Sequence, residues 1–491
     1  VNSSPSFFPT LVERYRAIMA SLGGVLLIAA VALLLPLIAI LWYPEESITA
    51  PAFFLPALVA VVLGAILLTT FSRRSTVKLQ VEDSAVVVVV SWFATIAVSM
   101  LPFVLATNAS ALGALFEAVS GWTTTGLSVL DVEAVPHTIL LWRSIMQWFG
   151  GLGFAVLMSA AVLGPWAYGL YQAEGRSELL LPHIKRTTKL ILSIYLVLTA
   201  AGTAAFMLTG MGGFDALNHA MCALSTGGFS TRTASLGAYG SASAEAITMI
   251  LMAIGTTNYG VVFLVMRKRY RSAWKHGEVR VFAAGLVMVV GLLRFASTLP
   301  FRDVVFQAVS SLSTSGFSTV NFDQLSDAAM MMLVMAMIVG GQVNATAGGL
   351  KQYRVYLAYK SVAIYIRRLL KPRAVISPLM INHLGERRSI SSGEASQNSA
   401  YVMMYLATYA LGVLAITALG YSLREAAFEF ASSLGTVGLS IGITGAHSPP
   451  ALLYIEMVGM ILGRLEFTVI FIGVAKMGQA IPRLLRPNGR A

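Results

Sequence analysis

Thr123-Thr124-Thr125-Gly126-Leu127-Ser128 is one of four versions of a single hexapeptide in this chain. The others are Ser225-Thr226-Gly227-Gly228-Phe229-Ser230, Ser313-Thr314-Ser315-Gly316-Phe317-Ser318 and Gly435-Thr436-Val437-Gly438-Leu439-Ser440, and all four align without a gap. In each, a Thr is followed two residues later by Gly and two later again by Ser. The frame extends upstream: Phe116-Glu117 precede Gly126 by the interval at which Phe428-Glu429 precede Gly438, and Asn218-His219 and Phe306-Gln307 fill the same slots. One small-polar string between apolar segments reads as an ordinary turn. Four in one frame mark an internal repeat, and the repeat decides the fold.

With 57% hydrophobic and 11% charged residues over 491 positions, the chain is too apolar for an ordinary soluble domain. Apolar runs near the ~20 residues that cross a bilayer recur, and none shows the ~10-residue alternation of a barrel strand. The expectation is an all-α membrane protein. The net charge of +12 is assigned to topology and not to nucleic acid, because basic residues of membrane proteins gather in cytoplasmic loops. The single cysteine, Cys222, allows no intramolecular disulfide and is assigned to packing. The first apolar run, roughly Ala17 to Trp42, is too long for a signal-peptide core and lacks a small-residue cleavage pattern, so it is expected to stay as a membrane helix.

Along the chain, an N-terminal two-helix hairpin (1–80) precedes four pore units at 81–176, 177–272, 273–390 and 391–491. Each unit reads as an apolar span, a shorter amphipathic stretch leading into the string, and a second span. First spans are expected near 84–106, 188–209, 281–299 and 400–420, second spans near 138–163, 245–266, 326–350 and 450–475, ten crossings in all. Arg14 and Arg16, the acidic turn Tyr43-Pro44-Glu45-Glu46, and Arg73, Arg74 and Lys78 put the N-terminus inside and the hairpin turn outside. The clusters Arg176 to Lys189, Arg267 to Arg280, Lys351 to Arg388 and Lys476 to Arg490 then all fall on the cytoplasmic side, with both termini. The string side keeps Arg232, Arg294, Arg302 and Arg424.

Non-helical backbone at membrane depth is tolerated where it is buried in protein or lines water. Four such strings need a shared polar cavity, and carbonyls from four surrounding segments can replace the water shell of an alkali cation. Gly supplies the backbone angles that residues with a Cβ resist. The filter is therefore assigned to Thr123, Thr124, Thr125 and Gly126, to Ser225, Thr226, Gly227 and Gly228, to Ser313, Thr314, Ser315 and Gly316, and to Gly435, Thr436, Val437 and Gly438. Pore helices ahead of the strings would aim their partially negative C-terminal ends at the cavity.

These residues resemble the Trk/Ktr/HKT superfamily of potassium transporters, built from four fused helix–pore loop–helix units around one central pore. The leading hairpin, with Trp142-Arg143-Ser144, Gln147-Trp148 and Gly150-Gly151-Leu152-Gly153, resembles the branch of TrkH-type membrane subunits. The resemblance covers nearly the whole chain. A Gly in all four strings matches the K+-selective members. It implies potassium uptake across the cell membrane, with K+ as the transported ion and no covalently bound cofactor. It also implies a homodimer whose gate answers to a cytosolic RCK-type nucleotide-binding subunit, TrkA-like or KtrA-like.

The apolar run Ala328 to Val339 is about half a crossing, and the glycine-rich stretch after it, Gly340, Gly341, Gln342, Val343, Asn344, Ala345, Thr346, Ala347, Gly348 and Gly349, breaks the helix. The resemblance implies an intramembrane gating loop over 340–350, although Asn344-Ala345 stands where the family more often has Gly-Ser. Gly255-Thr256-Thr257-Asn258-Tyr259-Gly260 reads as a second local break or as small-residue helix packing. Arg464 falls mid-span, which favours the pore axis, and the resemblance implies a role in limiting flux. The structural alternative is a pair with Glu466. Arg143 is either a functional intramembrane charge, with Glu117 as one partner, or snorkels to the outer interface.

Gly348-Gly349-Leu350-Lys351 lacks the Ser or Thr and the strand of a phosphate loop. No metalloprotease or nucleophile–base set can be assembled by spacing, which argues against an enzyme. The basic loops would meet the cytosolic partner or anionic lipid headgroups. An Na+- or H+-coupled symporter is the alternative function, and its carboxylates would be Glu466, Glu117 and Glu429.

Overall fold

The structure, a computed structural model, describes residues 11–71, 81–153, 183–322, 325–370 and 379–484. Helices α1 (Leu11–Leu34) and α2 (Ala50–Phe71) form the leading hairpin. They approach closely because two glycines face each other: a Cβ on Gly23 or Gly64 would lie 2.8 Å from the other's carbonyl oxygen. α1 gives way to a tighter 3₁₀ turn at Leu35–Leu41, where Pro36 removes a donor from the α pattern.

Four units follow. Their first spans are α3 (Val81–Ser99, continued by α4, Leu101–Ala106), α7 (Ile184–Leu208), α12 (Gly277–Ala296) and α16 (Ser392–Ala418). Their pore helices α5 (Ala111–Trp122), α8 (Gly213–Leu224), α13 (Phe301–Leu312) and α17 (Leu423–Leu434) have 12 residues each and stop immediately before a string. Side chains fix two of their starts: Ser110 Oγ accepts from Gly113 N–H, and Ser422 with Glu425 forms a capping box. The second helices begin as α6 (His137–Leu152), α9 (Ala242–Gly255), α14 (Asp327–Val339) and α18 (Pro450–Arg464).

The second spans depart from the expectation of continuous crossings. Unit two bends by 110° between α9 and α10 (Tyr259–Met266), and unit four by 106° between α18 and α19 (Phe467–Leu484). Asn258 restarts α10 by accepting from Gly260 N–H, a helix start that competes with continuation of α9. In unit three α14 stops at Gly340, whose φ of 67° only glycine adopts readily, and helix returns as α15 (Gln352–Leu369). Among the described residues six helices are long and apolar enough to cross a membrane, and the two bent pairs raise that to eight. The part of the span expected at 138–163 that lies beyond Gly153, and the basic residues Arg73, Arg74, Lys78, Arg176, Arg486 and Arg490, fall outside the described residues. Two more 3₁₀ turns (Pro44–Thr49 and Ser235–Tyr239), connecting α11 (Tyr270–Lys275) and one short hairpin, β1 (Leu379–His383) with antiparallel β2 (Glu386–Ile390), complete the described elements.

Buried apolar side chains hold each pore helix between its two spans. In unit one both the Trp122 and Trp142 indoles donate to Ser99, at 2.8 and 3.1 Å, so pore helix and second helix are tied to the end of α3. Outward faces carry large apolar residues, with Leu208 90% and Phe295 92% exposed, the pattern of a lipid-facing surface.

Candidate functional site

The four strings meet in one ring. A Cβ placed on Gly126 would lie 2.2 Å from Gly227 O, on Gly228 2.5 Å from Ser315 O, on Gly316 2.0 Å from Val437 O, and on Gly438 2.1 Å from Thr125 O. The contacts run from unit one to two, three, four and back to one, so the ring is closed. Each glycine has a left-handed φ, between 74° and 97°. So does the Thr two residues before it: Thr124, Thr226, Thr314 and Thr436 have φ of 49–55°, unusual for a β-branched residue.

Backbone hydrogen bonds orient the strings. Thr124 N and Thr125 N donate to Gly121 O and Ser120 O, and the equivalent pairs are Thr226 and Gly227, Thr314 and Ser315, and Thr436 and Val437, each donating to the end of its own pore helix. Since N–H and C=O of a trans peptide point in opposite directions, the carbonyls preceding these amides face away from the pore helices. Further braces come from Ser120 Oγ and Ser432 Oγ, which accept from Gly126 N and Gly438 N at 3.0 Å. Cys222, fully buried, fills the corresponding slot of unit two. Gln147 on α6 holds the second string from both sides, donating to Gly227 O at 2.5 Å and accepting from Phe229 N at 3.1 Å.

The upstream slot has a structural role that spacing did not reveal. Glu117, His219, Gln307 and Glu429 each reach the Ser that ends their own string, 11 residues on: Ser128 at 2.6 Å, Ser230 at 3.0 Å, Ser318 at 3.2 Å and Ser440 at 2.6 Å. Glu117 also accepts from Val129 N at 2.7 Å and pairs with Arg143 Nε at 3.1 Å. Arg143 donates to Ser230 O at 3.2 Å and lies 3.8 Å over the Phe229 ring. At 2% exposure it does not snorkel; it joins unit one to the second string. On the Ser side of the ring a cavity of about 560 Å³ is lined by all four glycines, the four terminal serines, Arg143 and Arg232.

On the Thr side lies the loop after α14. Thr346 Oγ1 is 3.1 Å from Thr226 Oγ1, Gly348 N donates to Thr314 Oγ1 at 2.9 Å, and a Cβ on Gly348 would stand 2.0 Å from Thr436 Oγ1. The loop closes on itself through Gly341 N to Gly348 O, and Gly340 and Gly349, both of positive φ, pack Cα against Cα too closely for any Cβ. The unit-two break satisfies the rest: Gln342 N donates to Thr256 O, Asn258 N to Gln342 Oε1, Tyr259 N to Asn344 O and Thr346 N to Gly255 O. Two irregular segments supply each other's backbone partners, which is what membrane depth requires. From the far side Val343 N reaches Glu278, which pairs with His276, and His276 accepts from Leu384 N in the β1–β2 turn.

Arg464 ends α18 at the bend instead of sitting within a continuous span. Its guanidinium donates to Thr346 O on the loop and to Gly150 O on α6. The alternative pair with Glu466 is not made; Glu466 binds Arg354 at 2.5 Å. Thr124 Oγ1 and Thr436 Oγ1 are buried without a hydrogen-bond partner among the described residues. The four strings assigned from sequence are thus brought into one ring; of the eight residues expected to form a gate, Thr346 and Gly348 meet its Thr side, Arg464 binds Thr346 O, and Gly340, Gly341, Gln342, Asn344 and Gly349 close the loop on itself and on the unit-two break.

The sequence profile of TrkH, described as a cation transport protein, matches residues 49–480. The chain is similar to the Trk system potassium uptake protein TrkH of Salmonella typhimurium, with 31% identity over 480 residues, covering 93% of this chain and 98% of the relative. It is 27% identical over 476 residues to the uncharacterized cation transporter MJ1485 of Methanocaldococcus jannaschii, covering 96% and 98%. The crystal structure of the potassium transporter TrkH from Vibrio parahaemolyticus superposes with a TM-score of 0.82 at 28% identity, covering 96% of this chain and 99% of that one.

Proposed function

We propose, from the premise that the chain belongs to the TrkH family of cation transport proteins, that it takes up potassium through the ring of four strings and that the 340–350 loop is its gate. One observation carries this reading: each of four glycines stands against the carbonyl preceding the next glycine, in a closed cycle. Carbonyls turned away from four pore helices toward one axis are suited to a dehydrated monovalent cation. The loop at the Thr side, fastened by Arg464 to Gly150 O, supports a closed path. We extend the proposal to orientation and partners. The Ser-side cavity faces outward, both termini face the cytoplasm, and a homodimer receives a cytosolic nucleotide-binding subunit on the basic segments 267–280 and 351–388. The link from the β1–β2 turn through His276 and Glu278 to Val343 suits it to pass that subunit's movement to the loop.

The test is a reversal-potential measurement in liposomes with K+, Na+ and pH gradients varied separately. A potential that follows the K+ gradient alone is expected. A shift with the Na+ or pH gradient supports ion-coupled symport instead, and a potential indifferent to K+ overturns the reading.

A further inference from the structure

Three of the second helices, those of units one, two and four, touch their pore helices at equivalent glycines: a Cβ on Gly150 would meet Trp122 O at 2.2 Å, on Gly255 Leu224 O at 2.3 Å, and on Gly463 Leu434 O at 1.9 Å. At one fixed spacing before these glycines stand Arg143, Thr248 and Glu456. In unit one that position neutralises the slot carboxylate, Arg143 on Glu117. In unit four the slot carboxylate Glu429 meets a second carboxyl. Thr444 Oγ1 lies 2.5 Å from Glu429 Oε1 and 2.7 Å from Glu456 Oε1, and both glutamates are fully buried.

A hydroxyl carries one hydrogen, so Thr444 donates to one carboxyl and must accept from the other. Glu429 already accepts from Ser440 Oγ at 2.6 Å and Ile441 N at 3.2 Å, as a carboxylate does. Glu456 Oε2 has no hydrogen-bond partner among the described residues. The consistent arrangement is Glu456 O–H to Thr444 and Thr444 O–H to Glu429. Among the described residues no Lys, Arg or His is seen to compensate: of the elements packed on α18, α17 offers Glu429 itself, Arg424, which goes to Asp327 and Leu325 O, and Glu425, which caps Ser422 N; α5 offers Glu117, taken by Arg143, and α19 offers Lys476, paired with Glu82. Near the bend, Arg464 on α18 goes to Thr346 O and Glu466 to Arg354. On α16, Tyr409 donates to Ala427 O, Tyr405 and Tyr401 are neutral neighbours of Phe467, and Glu394 binds Tyr353. Two adjacent buried carboxylates without a cation do not both ionise.

We infer that Glu456 is a buried carboxylic acid, a proton-binding site that stands where unit one has Arg143 and that, through Thr444, positions the string around Gly438. The proton reaches it from the Ser-side cavity, which Thr444 and Ser440 line. Its loss would set a second negative charge beside Glu429 and release Thr444.

The protonation itself does not depend on the strings being an ion filter, whereas its effect on flux rests on that reading, so the two are measured separately. On the full-length protein in lipid at neutral pH, infrared difference spectra between wild type and Glu456→Gln should contain the carbonyl stretch of a carboxylic acid, lost in the variant. Absence of that band overturns the proposal. For flux, Glu456→Gln, a neutral isostere, should retain wild-type K+ over Na+ preference, while Glu456→Ala and Thr444→Val should each lower it about tenfold, as for a lost hydrogen bond to a charged network. Thr444→Val serves if Glu456→Ala does not fold. Wild-type preference in either, or a collapse in Glu456→Gln, refutes the positioning role. A band that behaves as stated, with ion preference unmoved even by Gly316→Ser, would remove the filter reading and leave the proton site standing.

Discussion

Gly316→Ser is the sharpest perturbation of the ring. A Cβ there would lie 2.0 Å from Val437 O, 3.0 Å from its carbonyl carbon and 3.1 Å from Gly438 Cα. A close carbon–oxygen contact is about 3.3 Å, so the Val437 carbonyl must retreat by about 1.3 Å or turn. The φ of 74° adds roughly 1–2 kcal/mol of strain for a residue with a Cβ. A carbonyl withdrawn by that distance no longer replaces a water on a dehydrated ion, a loss on the order of 1.5–3 kcal/mol by analogy with hydrogen bonds to charged groups. At 1.4 kcal/mol per tenfold, K+ over Na+ preference should fall roughly ten- to a hundredfold. The assay is the bi-ionic K+/Na+ reversal potential of purified protein in liposomes, with size-exclusion elution confirming the fold. Gly291→Ala is the control, since nothing lies within 4 Å of its Cβ. A folded Gly316→Ser protein with unchanged ion ratios would refute the filter assignment.

Two further outcomes follow from charged side chains that tie the units together. Arg464→Ala removes the donors to Thr346 O and Gly150 O; at ~1.5–3 kcal/mol per charged hydrogen bond, basal K+ flux should rise about tenfold or more, and a silent or dead-but-folded variant contradicts the restraint. Arg143→Met leaves the fully buried Glu117 without its cation, so stability in detergent should drop by about 3–5 kcal/mol, read as thermal midpoint, with partial recovery in the Arg143→Met/Glu117→Gln double variant. A single variant as stable as wild type would show that the pair carries no such cost.

The four-unit architecture was legible because the same small residues recur in one frame, and a repeat constrains a fold more than any single segment does. The break at Gly340 was legible for a related reason, since glycine runs and a half-length apolar stretch cannot continue a span. The bends after Gly255 and Gly463 were not equally plain. Thr256, Thr257 and Leu465 are compatible with a helix, and only the partners supplied by the loop and by Asn258 make a break favourable. Position along an apolar run therefore placed Arg464 mid-span, where the structure has a helix end. The left-handed Thr residues ran against expectation because β-branching normally excludes that region; hydrogen bonds to four pore-helix ends impose it. Glu456 escaped notice within a strongly apolar helix, and the slot-to-Ser links were hidden because each joins residues on opposite sides of a turn.

Closure of the ring by Gly438 against Thr125 O has a consequence for biosynthesis. A nascent polypeptide that has delivered only its first three units to the bilayer holds an open circle, with no backbone yet packed against Thr125 O. The fourth unit is translated after the other three and supplies the missing arc, so the ring cannot close before that unit has joined them.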